Sequence, residues 1–285
     1  MIMHILEKLN HCIMSNRISF FSVLVLSFLW SCQSNSDTTE SENADEAAEV
    51  TNTESINVPE YVELMDTFEV PHIETTPLIN GIGEDECWKL TSWRPINQVW
   101  VGEPMEEGDF EGHYKVLWDH DLIYVLVKVL DDTVMDIHED PLQDWWKDDC
   151  VEVFIDEDNS DGEHQFNNNA FAYHIALNGD VVDLGTDKKP HLYNDHVSSK
   201  HTFDGKYHIW EMAFIIHSDQ FDHNKETNNS SVHLMEGKEM GFAIAYCDND
   251  HSEDRENFIG SIFIPGEDKD QGWKDAGVFN TIRLK

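Results

Sequence analysis

Oxygen ligands crowd one short stretch of this 285-residue sequence, Asp156-Glu157-Asp158-Asn159-Ser160-Asp161-Gly162. Calcium takes six to eight such hard oxygens, which makes Asp156, Asp158 and Asp161 candidate ligands for a structural calcium ion. The spacing is not that of an EF-hand. With 57 acidic residues against 18 Lys+Arg, acidic loops also arise with no ion to hold. For the same reason a pair of carboxylates says nothing about glycoside hydrolysis, which needs two at a set separation. No nucleophile motif, phosphate loop or zinc signature stands out, and the 16 His residues include no His-Glu-x-x-His pattern. Cys87, Cys150 and Cys247 are odd in number and lack metal-ligand spacing. One disulfide plus one thiol, or three buried thiols acting as small apolar residues, both fit. No catalytic residue is assigned.

Cys32 carries a different chemistry. Arg17 precedes the apolar run Ile18 to Leu29, then Trp30, Ser31 and Cys32. The run is too short for a permanent membrane span, which needs about 20 residues, and it fits the apolar region of a signal peptide. Leu29-Trp30-Ser31-Cys32 resembles a bacterial lipobox, with an aliphatic residue at −3 and a small one at −1; Trp at −2 is unusual. Acyl chains on Cys32 would anchor the exported chain to a membrane, since each buried CH₂ contributes about 0.8 kcal/mol. Residues 1–31 therefore read as a lipoprotein signal peptide. Residues 32–65 are acid-rich and almost free of aromatics, and they read as a self-repelling, disordered tether. The expected location is a membrane face outside the cytoplasm, at the outer membrane or the cell surface.

Residues 66–285 must position whatever chemistry the chain performs. Their pattern is alternation of period two. His113–Trp118 and Leu122–Leu130 flank an Asp-His-Asp turn; Cys150–Ile155 forms a further strand. Asn178-Gly179 separates Phe171–Leu177 from Val181–Leu184, and Asp204-Gly205 separates Val197–Phe203 from Tyr207–Ile216; both pairs are strong hairpin signals. Phe242–Cys247, Phe258–Ile264 and Val278–Leu284 complete the set. Many short strands with regular turns imply one all-β domain, a two-sheet antiparallel β-sandwich of jelly-roll type. The formal charge of −39 repels phosphate backbones, so nucleic acid is excluded as a partner.

Five segments in order resemble the family 9 carbohydrate-binding modules and their wider sugar-binding relatives. Ile79-Asn80-Gly81 through Trp88 resembles the opening motif, and Tyr114–Asp119 with Leu122–Val125 the first hairpin. Trp146-Lys147-Asp148-Asp149-Cys150-Val151-Glu152-Val153-Phe154-Ile155-Asp156 resembles the central block. Trp210–Ile215 is similar to a later strand, and Trp273-Lys274-Asp275 with Phe279–Lys285 to the closing segment. The resemblance implies non-catalytic binding of an oligo- or polysaccharide, beside other glycan-utilisation proteins in polysaccharide catabolism. It also implies a structural calcium. It places Trp146 and Trp273 as a clamp on a sugar ring and Glu152 as a sugar contact. An indole suits the apolar face of a pyranose, since it buries about 150–250 Å². Trp88, Trp118 and Trp210 are assigned to the core. The sequence departs from the family on one strand, where arginine and asparagine are expected and Ala172, His174 and Ala176 stand; of these, only His174 could serve a hydroxyl. Two rival readings are a haem-binding relative using Met135, Met212 or Met240, though without Cys-x-x-Cys-His, and a glycoside hydrolase component.

Overall fold

A computed structural model describes residues 67–285 apart from 226–228 and 230. Cys32, the signal segment 1–31 and the tether 32–65 lie outside the described residues. The strands are β1 (Thr67–Val70), β2 (Arg94–Ile96), β3 (Gln98–Val101), β4 (Phe110–Trp118), β5 (Leu122–Asp131), β6 (Cys150–Asp156) and β7 (Phe171–Ala176). They continue as β8 (Val181–Leu184), β9 (Pro190–Leu192), β10 (Val197–Phe203), β11 (His208–Ile215), β12 (Glu239–Asp248), β13 (Asn257–Gly260) and β14 (Asn280–Leu284). Two 3-10 turns, Glu86–Leu90 and Ala276–Val278, are the helical elements among the described residues.

The strands form two sheets. The larger runs β1-β14-β12-β6-β7-β8-β9, with β13 pairing the far end of β12 and β3 pairing β13; the smaller runs β10-β11-β5-β4-β2. The expected two-sheet all-β architecture is present. Every strand pairing is antiparallel except β1 with β14, which run parallel.

The turn residues act as the sequence implies. Asp119 Oδ1 accepts the N–H groups of Asp121 and Leu122, closing the β4–β5 hairpin. Asp204 Oδ1 does the same for Lys206 and Tyr207 between β10 and β11. Gly179, with φ +92°, supplies the left-handed position between β7 and β8. The strand expected at Phe258–Ile264 stops at Gly260, because Ser261 bonds across to Ile244 through both its N–H and its hydroxyl. Ile262 and Ile264 are then buried outside the ladder.

The central core lies between the sheets. Val151, Val153, Tyr173, Ile175, Phe242, Ile244 and Tyr246 of the larger sheet pack against Tyr114, Val116, Trp118, Val125, Val127, Trp210 and Phe214 of the smaller. Each sheet also has its outer face covered. Trp88, Tyr124 and Leu126 lie in a cluster outside the smaller sheet, and Trp100, Phe154, Phe258 and Ile262 in one outside the larger. Burial on both faces explains why β5, β6 and β12 read as nearly unbroken apolar runs. Trp88, Trp118 and Trp210 are core residues, as expected.

Candidate functional site

Strand parity places the site. With Val151, Val153 and Ile155 facing the inter-sheet core, Cys150, Glu152 and Phe154 of β6 must face outward. The same alternation turns Ala172, His174 and Ala176 outward on β7, and Ala243, Ala245 and Cys247 on β12. The register aligns them: Glu152 lies between His174 and Ala245, Phe154 between Ala172 and Ala243, and Cys150 between Ala176 and Cys247. Most of these side chains are small, so the middle of the larger sheet carries a depression.

Loops raise its walls into a cleft of about 540 Å³, lined by Trp145, Trp146, Trp273, Val101, His164, Gln165, Asp254, Arg255 and Asp270 around Glu152, Ala172, His174, Asp183 and Leu184. Its size and mixed lining are those of a small-molecule site. Trp146 is held by donating its indole N–H to Asp254, at 3.1 Å, and by edge contact with Trp145. The Trp273 loop is pinned from below by His164, whose Nε2 lies 2.8 Å from the Gly272 carbonyl and whose backbone N–H donates to that of Lys274. Both indoles are thus presented at fixed positions while remaining partly exposed.

The floor is polar. Glu152 is 1% exposed, and His174 Nε2 stands 3.1 Å from its Oε2. Neither Glu152 oxygen has a hydrogen-bond partner, and His174 Nδ1 lacks one too. Burial disfavours protonated His174, but the adjoining Glu152 carboxylate outweighs it and lifts the imidazole to about 10. Arg255 enters from the loop between β12 and β13, pairs with Asp270 at 3.2 Å and lies over the Phe258 ring. Asp183 accepts the N–H groups of Ala172 and Leu184, yet burial raises its carboxyl to about 7.

The family model described as carbohydrate family 9 binding domain-like matches residues 79–285. The chain belongs to this family. No curated protein matches it. Among solved structures it is similar to a family 9 carbohydrate-binding module from Caldicellulosiruptor kristjanssonii, in complexes with glucose and with cellotriose. Identities are 19% and 18%, each with a TM-score of 0.56, covering 77% of this chain and 95% and 93% of those. A putative carbohydrate-binding protein from Bacteroides uniformis is also similar, at 13% identity and TM-score 0.51, over 77% of this chain and 99% of that one.

In this family 9 domain the four residues singled out from sequence, Trp146, Glu152, His174 and Trp273, all line one cleft. The polar strand is as sparse as its sequence indicates, since Ala172 contributes no polar group. An arginine is nevertheless present: Arg255 reaches the cleft from another element, which strand-by-strand reading could not reveal. Trp145, His164, Asp183, Asp254 and Asp270 were missed as well, because they sit on loops or strand ends distant in sequence. Trp145 alone left a signal, as the neighbour of Trp146.

Among the described residues Cys87, Cys150 and Cys247 are free thiols, with Cys150 and Cys247 buried and Cys87 partly so. The loop expected to hold calcium, around Asp156, Asp158 and Asp161, shows a partial donor set. Asp156 is buried with Oδ1 unpartnered, burial raises it to about 6, and its Oδ2 accepts the Asp161 N–H. Three carboxylates gather more closely where β5 and β12 end, at Asp131, Asp248 and Asp250. There burial and the neighbouring acids push Asp248 to about 8. Both groups suit a hard cation chemically. Met212 and Met240 are fully buried in the inter-sheet core, which removes two of the three methionines from any haem-ligand role.

Proposed function

We propose that this chain is a non-catalytic, lipid-anchored sugar-binding module that takes a sugar ring into the cleft between Trp146 and Trp273. The observation carrying this reading is two partly exposed indoles held on independent loops above a buried polar floor. The apolar face of a pyranose matches an indole, and its edge hydroxyls match Glu152, His174 and Arg255. Among the described residues the Glu152 oxygens and His174 Nδ1 lack hydrogen-bond partners, and an unpaired buried polar group costs about 1–3 kcal/mol. A hydroxyl-bearing ligand relieves that cost where an apolar one does not. The glucose and cellotriose carried by the similar modules make gluco-oligosaccharides the first ligands to try. Structural calcium belongs to this reading, bound at Asp156, Asp158 and Asp161 or at the Asp131 group. Cys32 and the acidic tether would hold the domain off a membrane, within reach of other glycan-handling proteins.

The test is titration of the protein with glucose, cello-oligosaccharides and a wider glycan panel, followed by tryptophan fluorescence, with and without calcium. Saturable quenching or enhancement that disappears in both Trp146→Ala and Trp273→Ala is expected. A flat response across the panel, or one unchanged in the two variants, would overturn the assignment of the cleft.

A further inference from the structure

A third group lies buried beside Glu152 and His174. Cys247 lies two residue pairs along from Ala245, the partner of Glu152 on β12, and its side chain points to the same outer face. A carboxylate oxygen of Glu152, a ring nitrogen of His174 and the Cys247 sulfur all lie within 4.8 Å of one another. The geometry points to a binding site for a zinc-class divalent metal ion at Glu152, His174 and Cys247, on three adjacent strands. This inference does not depend on the sugar reading.

Water is excluded from the donors: Glu152 is 1% exposed and Cys247 0%, and the His174 side chain is 11% exposed. A carboxylate so buried is normally supplied with hydrogen-bond donors, yet both Glu152 oxygens lack them, as does His174 Nδ1. An imidazolium–carboxylate pair accounts for one oxygen and one nitrogen and leaves the others orphaned. A metal ion replaces the shared proton and occupies the point on which the three donors converge.

The donor set selects the metal. Calcium and magnesium take all-oxygen shells, whereas one thiolate, one imidazole and one carboxylate suit zinc and its neighbours. Three protein ligands leave a fourth position for a further ligand, and two of the three, Glu152 and His174, line the cleft. Metal binding draws the proton off a ligating thiol. Arg255 Nη1 is 3.6 Å from the sulfur and would oppose a cation, but Asp270 offsets that charge at 3.2 Å. Glu152 and the Cys247 thiolate then balance a divalent ion, while the protons of His174 and Cys247 leave to solvent.

The experiment titrates the full chain, thiols reduced and with Cys87→Ser, with Co²⁺ as the spectroscopic substitute for Zn²⁺. One equivalent should bind with a sulfur-to-cobalt charge-transfer band that Zn²⁺ erases and excess Ca²⁺ leaves intact. The band should vanish in Cys247→Ser, and affinity should fall at least tenfold in His174→Gln. X-ray absorption of the zinc-loaded protein with native Cys247 gives a readout free of folding effects, with one sulfur and otherwise nitrogen or oxygen neighbours expected. No band, a band surviving Cys247→Ser, or zinc without a sulfur neighbour overturns the site. Trp146→Ala should keep the cobalt band while losing the sugar response, so failure of either reading is separable from failure of the other.

Discussion

Glu211 and Glu152 are both buried glutamates on the outward side of a central strand, one in each sheet, and their surroundings are opposite. Glu211, 0% exposed, accepts the backbone N–H groups of Asn80 and Gly81 at 3.0 Å each and the Trp88 indole N–H at 2.8 Å. It stitches the segment before β2 onto the smaller sheet. Glu152 is as deeply placed, yet among the described residues no hydrogen-bond donor serves its oxygens and His174 alone stands at ion-pair distance. A satisfied buried carboxylate fixes the fold. An unsatisfied one, at the bottom of a cleft with aromatic walls, is arranged for something that arrives from outside.

The contrast can be broken most severely at Glu211. Glu211→Ala leaves three donors unpaired inside the outer cluster of the smaller sheet. It should lower unfolding free energy by about 3–5 kcal/mol in urea denaturation; a loss under about 1 kcal/mol would remove its structural role. Next comes Gly81, whose φ of +77° and lack of room (an added Cβ would meet Thr202 Cγ2 at 2.8 Å) let its N–H reach Glu211. Gly81→Ala should cost about 2–3 kcal/mol by the same assay, with sugar binding of the surviving folded fraction unchanged.

On the other face the effects move from stability to binding. Trp146→Ala should weaken sugar affinity by about 10- to 100-fold in fluorescence or calorimetric titration, with a melting temperature close to that of the parent. Glu152→Gln removes one partner of the buried pair with His174 and should cost about 1–3 kcal/mol at neutral pH, less than Glu211→Ala, because no three-donor network is lost. Its signature is electrostatic. Removing the carboxylate takes away the main influence that raises His174, so the imidazole should titrate well below its present value of about 10, read by NMR. If Glu152→Gln proved as damaging to stability as Glu211→Ala, the distinction between the two carboxylates would fail.

Much of the sandwich was legible because alternation, Asn-Gly and Asp-Gly turns are local signals. β1, β2, β3 and β9 were not anticipated. Each has three or four residues, too few for a period to register, and β1 and β3 are held by β14 and β13, far away in the chain. Phe258–Ile264 illustrates the converse: its alternation is genuine, but Ser261 diverts the backbone and the apolar residues after it fill the outer cluster instead. Within the cleft, Trp146, Trp273, Glu152 and His174 were legible through strand parity and family motif. Arg255 was not, since nothing in His251-Ser252-Glu253-Asp254-Arg255 distinguishes a cleft residue from an exposed one.

The cysteines mark the boundary most sharply. Read along the chain, Cys150 and Cys247 have no metal-ligand spacing, because ligand motifs in sequence register only when donors share a loop or a helix. The sequence by itself determined the strand periods, the turns and which side chains share a face, all of which depend on neighbours within a few residues. Only the tertiary structure decided that β12 and β7 flank β6 in a register that gathers Cys247, Glu152 and His174, and that Arg255 closes over them. Register between strands as distant in sequence as β6 and β12, which pair Glu152 with Ala245, is set by packing of the whole inter-sheet core, and no local pattern encodes it.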